Sequence, residues 1–232
     1  MKDCCIFGNG GSLKDYDFKK IDRDKYDVVG TGMAFRHWEK IDWYPDIYVN
    51  VDSVVCQNPE VIDFVKEYKC KFYVLSKSML QKYPDVDLEK CFFLEDLLMF
   101  PQSSFRFVRN WCSGTAAVVA SLDRYRNINL FGFDLDYVEF IPECEKNSDG
   151  TLTIKTTPET NPNYFFDDYQ REGDTYNIPN GKTVHTKSWE ELSYITDFIN
   201  KMFPEHEVFI TNYNDKTSIS KWFDTKFLTE FI

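Results

Sequence analysis

Cys4-Cys5-Ile6-Phe7 is a short apolar run that stops abruptly at Gly8-Asn9-Gly10-Gly11-Ser12. A run this short, ended by glycines, reads as a strand covered on both faces, and such strands belong to parallel sheets flanked by helices. The pattern recurs along the chain. Positions 26–29, 46–50, 71–75, 91–94, 128–131 and 208–211 predict further strands. Helices are predicted at 60–68, at 113–125 with its small-residue run Gly114-Thr115-Ala116-Ala117, and at 188–202, where Ser188 and Glu191 have capping-box spacing. The segment 13–20 follows the glycine turn as a helix start, and the tail 218–232 has apolar residues at helical spacing. Such alternation predicts one α/β, Rossmann-like domain with a mostly parallel sheet.

One stretch breaks the alternation. Positions 136–184 carry ten acidic and four basic residues and seven aromatics, a composition unlike the apolar strands around it. A connection this long is expected to be a functional insertion, here a lid, leaving a body of 1–135 and 185–232. Its centre, 146–162, is rich in Asn, Thr, Asp and Pro and is expected to be mobile. Tyr164-Phe165-Phe166 within it reads as lid packing or as a platform for a sugar ring.

Glycines after a strand let backbone approach a ligand, and a helix starting there aims N–H groups and partial positive charge at an anion. The turn is not a phosphate-binding loop of the Gly-Lys-Ser/Thr type, and Leu13 stands where a dinucleotide fingerprint has its third glycine. The same residues also suit a plain tight turn with Ser12 as a helix N-cap.

Bulk properties narrow the classes. A net charge of −11 disfavours duplex nucleic acid, yet leaves room for one small anion held by local donors. Seven cysteines, an odd number without paired CxxC motifs, favour buried thiols over disulfides or structural zinc. No apolar run reaches membrane-spanning length, and residues 1–7 lack a signal-peptide core, so a cytoplasmic protein is expected.

Three segments together carry a family resemblance: the strand–Gly-Asn-Gly-x-Ser-Leu start, the pair Cys112-Ser113-Gly114-Thr115 and Asn129-Leu130-Phe131-Gly132-Phe133-Asp134, and the late His185 before a helix. The chain resembles the bacterial sialyltransferases of glycosyltransferase family 42, the lipooligosaccharide sialyltransferase group, and relatives. The resemblance implies a variant of the GT-A fold and transfer of a sugar from a nucleotide-sugar donor to a glycan acceptor. It implies that Gly8, Asn9, Gly10 and Ser12 face the donor phosphate and sugar, that Asn50 lies near the donor, and that Ser113 and Gly114 contact the nucleotide. His185 would be the catalytic base, Asp134 would support backbone or ligand, and lid tyrosines such as Tyr169 or Tyr176 would reach the phosphate. The chain departs from the family at Gly30-Thr31-Gly32-Met33, where an asparagine is usual; Arg36 and His37 could supply donors instead.

Inverting transfer needs a base for the acceptor hydroxyl and stabilisation of the departing phosphate. Histidine suits the first task. Of three histidines, His206 lies in a charged loop, His37 faces either a site or a helix surface, and His185 stands where lid meets helix, as a base or a capping residue on Trp189. Asp167-Asp168 is a reserve base or solvated surface. The phosphate can be served by the turn, asparagines and tyrosines with no metal. The rival device is Mg2+ or Mn2+ held by Asp134-Leu135-Asp136, echoed in part by Asn50-Val51-Asp52, as a UDP-sugar transferase of a neutral sugar would use. Two further alternatives are a non-catalytic nucleotide- or glycan-binding module and a methyltransferase, which would leave Ser113-Gly114 and His185 without a role.

Overall fold

The computed structural model describes residues 2–100, 103–108, 111–138, 140–177, 181–214 and 217–231, except for the side chains of 107 and 181–185. Strands β1 (Asp3–Phe7), β2 (Tyr26–Thr31), β3 (Ile47–Asn50), β4 (Phe72–Leu75), β5 (Cys91–Phe93) and β6 (Asn127–Phe131) belong to one sheet. A three-stranded antiparallel sheet follows, β7 (Cys144–Lys146), β8 (Thr151–Ile154) and β9 (Thr175–Asn177). Strands β10 (Phe209–Asn212) and β11 (Asp224–Thr225) then complete the large sheet, which runs β11-β10-β6-β1-β2-β3-β4-β5. All its pairings are parallel, so the fold is the expected α/β, Rossmann-like one.

The helices are α1 (Phe35–Ile41), α2 (Pro59–Lys66), α3 (Leu94–Leu97), α4 (Ser113–Leu122) and α5 (Gly181–Met202). Side chains along β1 alternate between faces. Cys4 and Ile6 join a core with Ala116, Val119, Leu130 and Trp189; Cys5 and Phe7 join the opposite one with Trp38, Tyr48, Phe64 and Phe131. Both faces are dry, which explains why the central strands read as unbroken apolar runs. Eight of the ten residues of α4 are buried, so its small side chains let it lie flat on β1, β2 and β3.

Three expectations need correction. No helix follows the glycine turn: Gly11–Leu13 and Phe18–Lys20 are single 3-10 turns. Ser188 is no N-cap but a fully buried residue inside α5, which starts at Gly181, so packing of Ser188, Trp189 and Leu192 overrides the local capping signal. The tail forms 3-10 turns and β11, because Lys226 N–H pairs with Asn212 O (2.9 Å) to extend the sheet. The segment 146–162 contains β8, its hairpin turn pinned by Asn147 Nδ2 donating to Thr151 Oγ1 (2.8 Å). All seven cysteines are free. Among the described residues no helix is long and apolar enough to cross a membrane.

Candidate active site

Strand order determines where a site can form. The chain steps outward from β1 to β5, then returns to place β6 on the other side of β1. Carboxyl ends of strands flanking such a reversal leave a crevice between diverging connections. The glycine turn sits there. Gly8 N–H donates to Phe131 O (2.8 Å) and Gly10 N–H to Gly132 O (2.8 Å), so the turn is an extension of the β1–β6 pairing. A Cβ on Gly8 would lie 2.5 Å from Gly132 O, and one on Gly10 2.4 Å from Asp134 Cγ.

The anion already at this turn is Asp134. Its carboxylate accepts from Ser12 N–H (2.8 Å), Ser12 Oγ (2.5 Å) and Asn214 Nδ2 (2.7 Å). The turn N–H expected to meet a phosphate is therefore occupied by a side chain. Gly10, Ser12 and Asp134 are brought together, but none lines the adjoining cavity. Both Asp134 oxygens are engaged, so Asp134 and Asp136 are not a preformed cation site. Among the described residues no three metal-ligating side chains gather.

The cavity, about 470 Å3, is walled by Gly8, Asn9, Asn50, Ser113, Gly114, Tyr169 and Tyr176 of the expected residues. Asn50 Nδ2 donates to Tyr48 OH (3.1 Å), which donates to Gly32 O (2.7 Å), so this asparagine braces the second strand's turn. Ser113 Oγ accepts from Val51 N–H (3.2 Å) and ties α4 to the loop after β3. Cys112 and Thr115 cap each other, leaving the first-turn N–H groups of Ser113 and Gly114 without a bond to any described residue. Gly114 is required because a Cβ there would lie 2.5 Å from the Phe133 ring.

The tyrosines of segment 136–184 are held in different ways. Tyr169 OH accepts from Met33 N–H (2.9 Å) and Asn9 Nδ2 (3.0 Å), lying where a Cβ on Gly32 would come within 2.5 Å of it. Gly32 has φ +60°, so its bare Cα both makes the turn and admits the phenol. Tyr176 OH donates to Asp174 Oδ2 (3.0 Å). Tyr164, which stacks on Tyr169 at 3.7 Å between ring centroids, lines the cavity with a hydroxyl that has no partner among the described residues. Asn9 Oδ1 is buried without a donor, so Asn9 also keeps unused bonding capacity. Asp52 is the one charged side chain among the described lining residues; it accepts from Asn177 Nδ2 (2.9 Å) of β9.

Arg36 is not a ligand donor. It is fully buried, and its five N–H donors are all spent: two on Glu60 (3.0 and 2.7 Å), two on Asp174 (2.6 and 2.9 Å) and one on Tyr169 O (2.7 Å). Asp174 also accepts from Asn58 Nδ2 (2.8 Å) and Arg171 N–H (2.8 Å). Burial alone would raise this carboxyl; hydrogen bonds from Arg36 and Arg171 N–H, with attraction to Arg36, outweigh it and hold it below the usual range. Segment 136–184 is thus latched to α1 and α2.

His37 packs among Phe18, Phe165 and Phe166 and faces a separate cavity; burial first, then Lys40, hold its imidazole below the usual range. His206 is exposed in a 3-10 turn. His185 lies on α5, but its side chain is outside the described residues; Trp189, one turn further on, lines the first cavity. Asp167 and Asp168 border the separate cavity. Sequence reasoning missed Asn177, named Asp52 only as part of a metal alternative and Thr31 only within the Gly30–Met33 departure, and undervalued Tyr164.

No family model matches the chain, and no curated protein matches it. Two solved structures share its fold. The monofunctional alpha-2,3-sialyltransferase Cst-I from Campylobacter jejuni aligns with TM-score 0.51 and 14% identity, over 96% of this chain and 79% of that one. The MAf glycosyltransferase from Magnetospirillum magneticum AMB-1 aligns with TM-score 0.57 and 17% identity, over 99% of this chain but 34% of that one. The chain therefore spans about a third of the second protein.

Proposed function

We propose that the chain is a glycosyltransferase that moves a sugar from a nucleotide-sugar donor to a glycan hydroxyl with inversion and without a metal. The observation that carries this reading is the covered cavity at the β1–β6 reversal, where unspent neutral donors meet: the N–H groups of Ser113 and Gly114 and the Tyr164 hydroxyl. The shared fold with a sialyltransferase and a second glycosyltransferase supports it. Neutral dipoles held in place stabilise charge that develops on a leaving phosphate. They match the single phosphate of a CMP-sugar better than a pyrophosphate, because no cation is found among the described lining residues.

In this mechanism His185 takes the acceptor hydroxyl proton. The acceptor oxygen bonds to the anomeric carbon, and the bond from that carbon to the phosphate oxygen breaks, with its electrons leaving on the nucleotide. What supports His185 is its place one helical turn before a cavity-lining residue. Gly8 gives the sugar close access to backbone, Asn50 holds the second wall in shape, and Gly10, Ser12 and Asp134 fix the turn.

Incubation with CMP-linked and UDP-linked sugars, each with EDTA or Mn2+, tests the reading. Expected is turnover of a CMP-sugar that survives EDTA. His185→Ala should lower it about 100- to 10,000-fold while CMP binding by calorimetry persists. Turnover confined to a UDP-sugar with Mn2+ would favour the metal-dependent alternative, and CMP binding without any turnover would favour a binding module.

A further inference from the structure

A second cavity of about 420 Å3 lies across the lid chain from the first. Tyr164 lines the first cavity and Phe165 to Asp168 line the second, with Phe165 N–H bonded to Asn9 O (3.2 Å) at the divide. Its walls combine the rings of Tyr16, Phe165 and Phe166 with polar groups that the fold leaves unused. The His37 imidazole, Tyr16 hydroxyl, Lys14 ammonium and Asp15 carboxylate have no hydrogen-bond or ion-pair partner among the described residues. Asp168, by contrast, is paired with Lys40 (2.5 Å) and Arg171 (2.9 Å), and Asp167 accepts from Asn161 N–H (3.3 Å).

These groups select a ligand class. With Asp168 engaged by Lys40 and Arg171, Asp15 and Asp167 stand against Lys14 alone among the lining cations, which disfavours a phosphate or carboxylate ligand. Aromatic walls beside a few convergent polar groups suit a molecule with apolar C–H faces and hydroxyls at its edge. The hydroxyls would donate to Asp15 and accept from Lys14 and Tyr16, and a neutral imidazole can do either. We propose that this cavity binds a neutral pyranose unit of a glycan, at a site distinct from the first cavity. The proposal rests on the cavity's own chemistry and stands whether or not the first cavity performs transfer.

Saturation-transfer NMR on the full chain, with methyl β-glucopyranoside as the probe, tests it. Transfer to the ring C–H protons is expected, unchanged by saturating CMP. Asp15→Asn should weaken the signal-derived affinity about tenfold, the scale of one hydrogen bond. Asp15 has φ 66°, which asparagine tolerates, so this variant keeps the fold; an unchanged melting temperature confirms it. Phe166→Ala should abolish transfer. No transfer in the parent chain, equal transfer in both variants, or binding of choline in place of the sugar would overturn the proposal.

Discussion

Two aspartates hold the two halves of the candidate site, and they do so by different means. Asp134 fixes the glycine turn through neutral donors, in a half-buried position, with Ser12 and Asn214 as partners. Asp174 fixes segment 136–184 through a fully buried guanidinium whose remaining donors go to Glu60 and to Tyr169 O. Losing a neutral hydrogen-bonded partner leaves dipoles unsatisfied; losing one member of a buried ion pair leaves a charge in a medium that cannot solvate it. The turn should therefore tolerate damage that the lid cannot.

The largest expected effect follows from this. Asp174→Ala should lower unfolding stability by about 3–5 kcal/mol in urea titration, whereas Asp134→Ala should cost about 1–3 kcal/mol. Equal costs would break the comparison. Because the Asp174 carboxyl is held below its unfolded value, its stabilisation is complete above that value and disappears as pH falls through the folded one. The gap between parent and Asp174→Asn should thus be constant from neutrality down to roughly pH 5 and shrink below about pH 4, where carboxylates of the unfolded chain protonate.

Next in size is Gly32→Ala. With φ +60° and the Tyr169 hydroxyl in the way, it should cost about 1–3 kcal/mol. Tyr169→Phe in the same chain should recover part of that loss, a coupling a double-mutant cycle reads directly. The smallest stability effect separates the tyrosines. Tyr164→Phe should leave stability within about 0.5 kcal/mol while weakening nucleotide binding three- to tenfold or so, measured by calorimetry. Tyr176→Phe should do the reverse, since its hydroxyl serves Asp174.

The sheet was legible because its strands are dry on both faces and so spell continuous apolar runs. Gly8-Asn9-Gly10 and Gly132-Phe133-Asp134 were legible as motifs, but not as two sides of one junction. Only the β1–β6 pairing explains why they occur together: Gly10 lacks a Cβ to make room for Asp134. The helix expected after the turn stops at one 3-10 turn, because Lys14 takes ψ 131° and Asp15 a left-handed φ of 66°. Ser188 misled because a capping pattern is local while α5 is set by burial. Arg36 looked like an available cation, since nothing near it in sequence announces Asp174; the latch exists only in three dimensions.

The separation of Ser12 from Asp134 has a consequence for how the chain is made. Their bond joins residues 122 positions apart, and Asn9 meets Tyr169 across 160. Contacts this distant close late, after the loop entropy between them has been overcome. During synthesis the amino-terminal turn would emerge early and wait, unshaped, until the sixth strand, the lid and finally Asn214 arrive. A segment made before its partners is then among the last to acquire its working form.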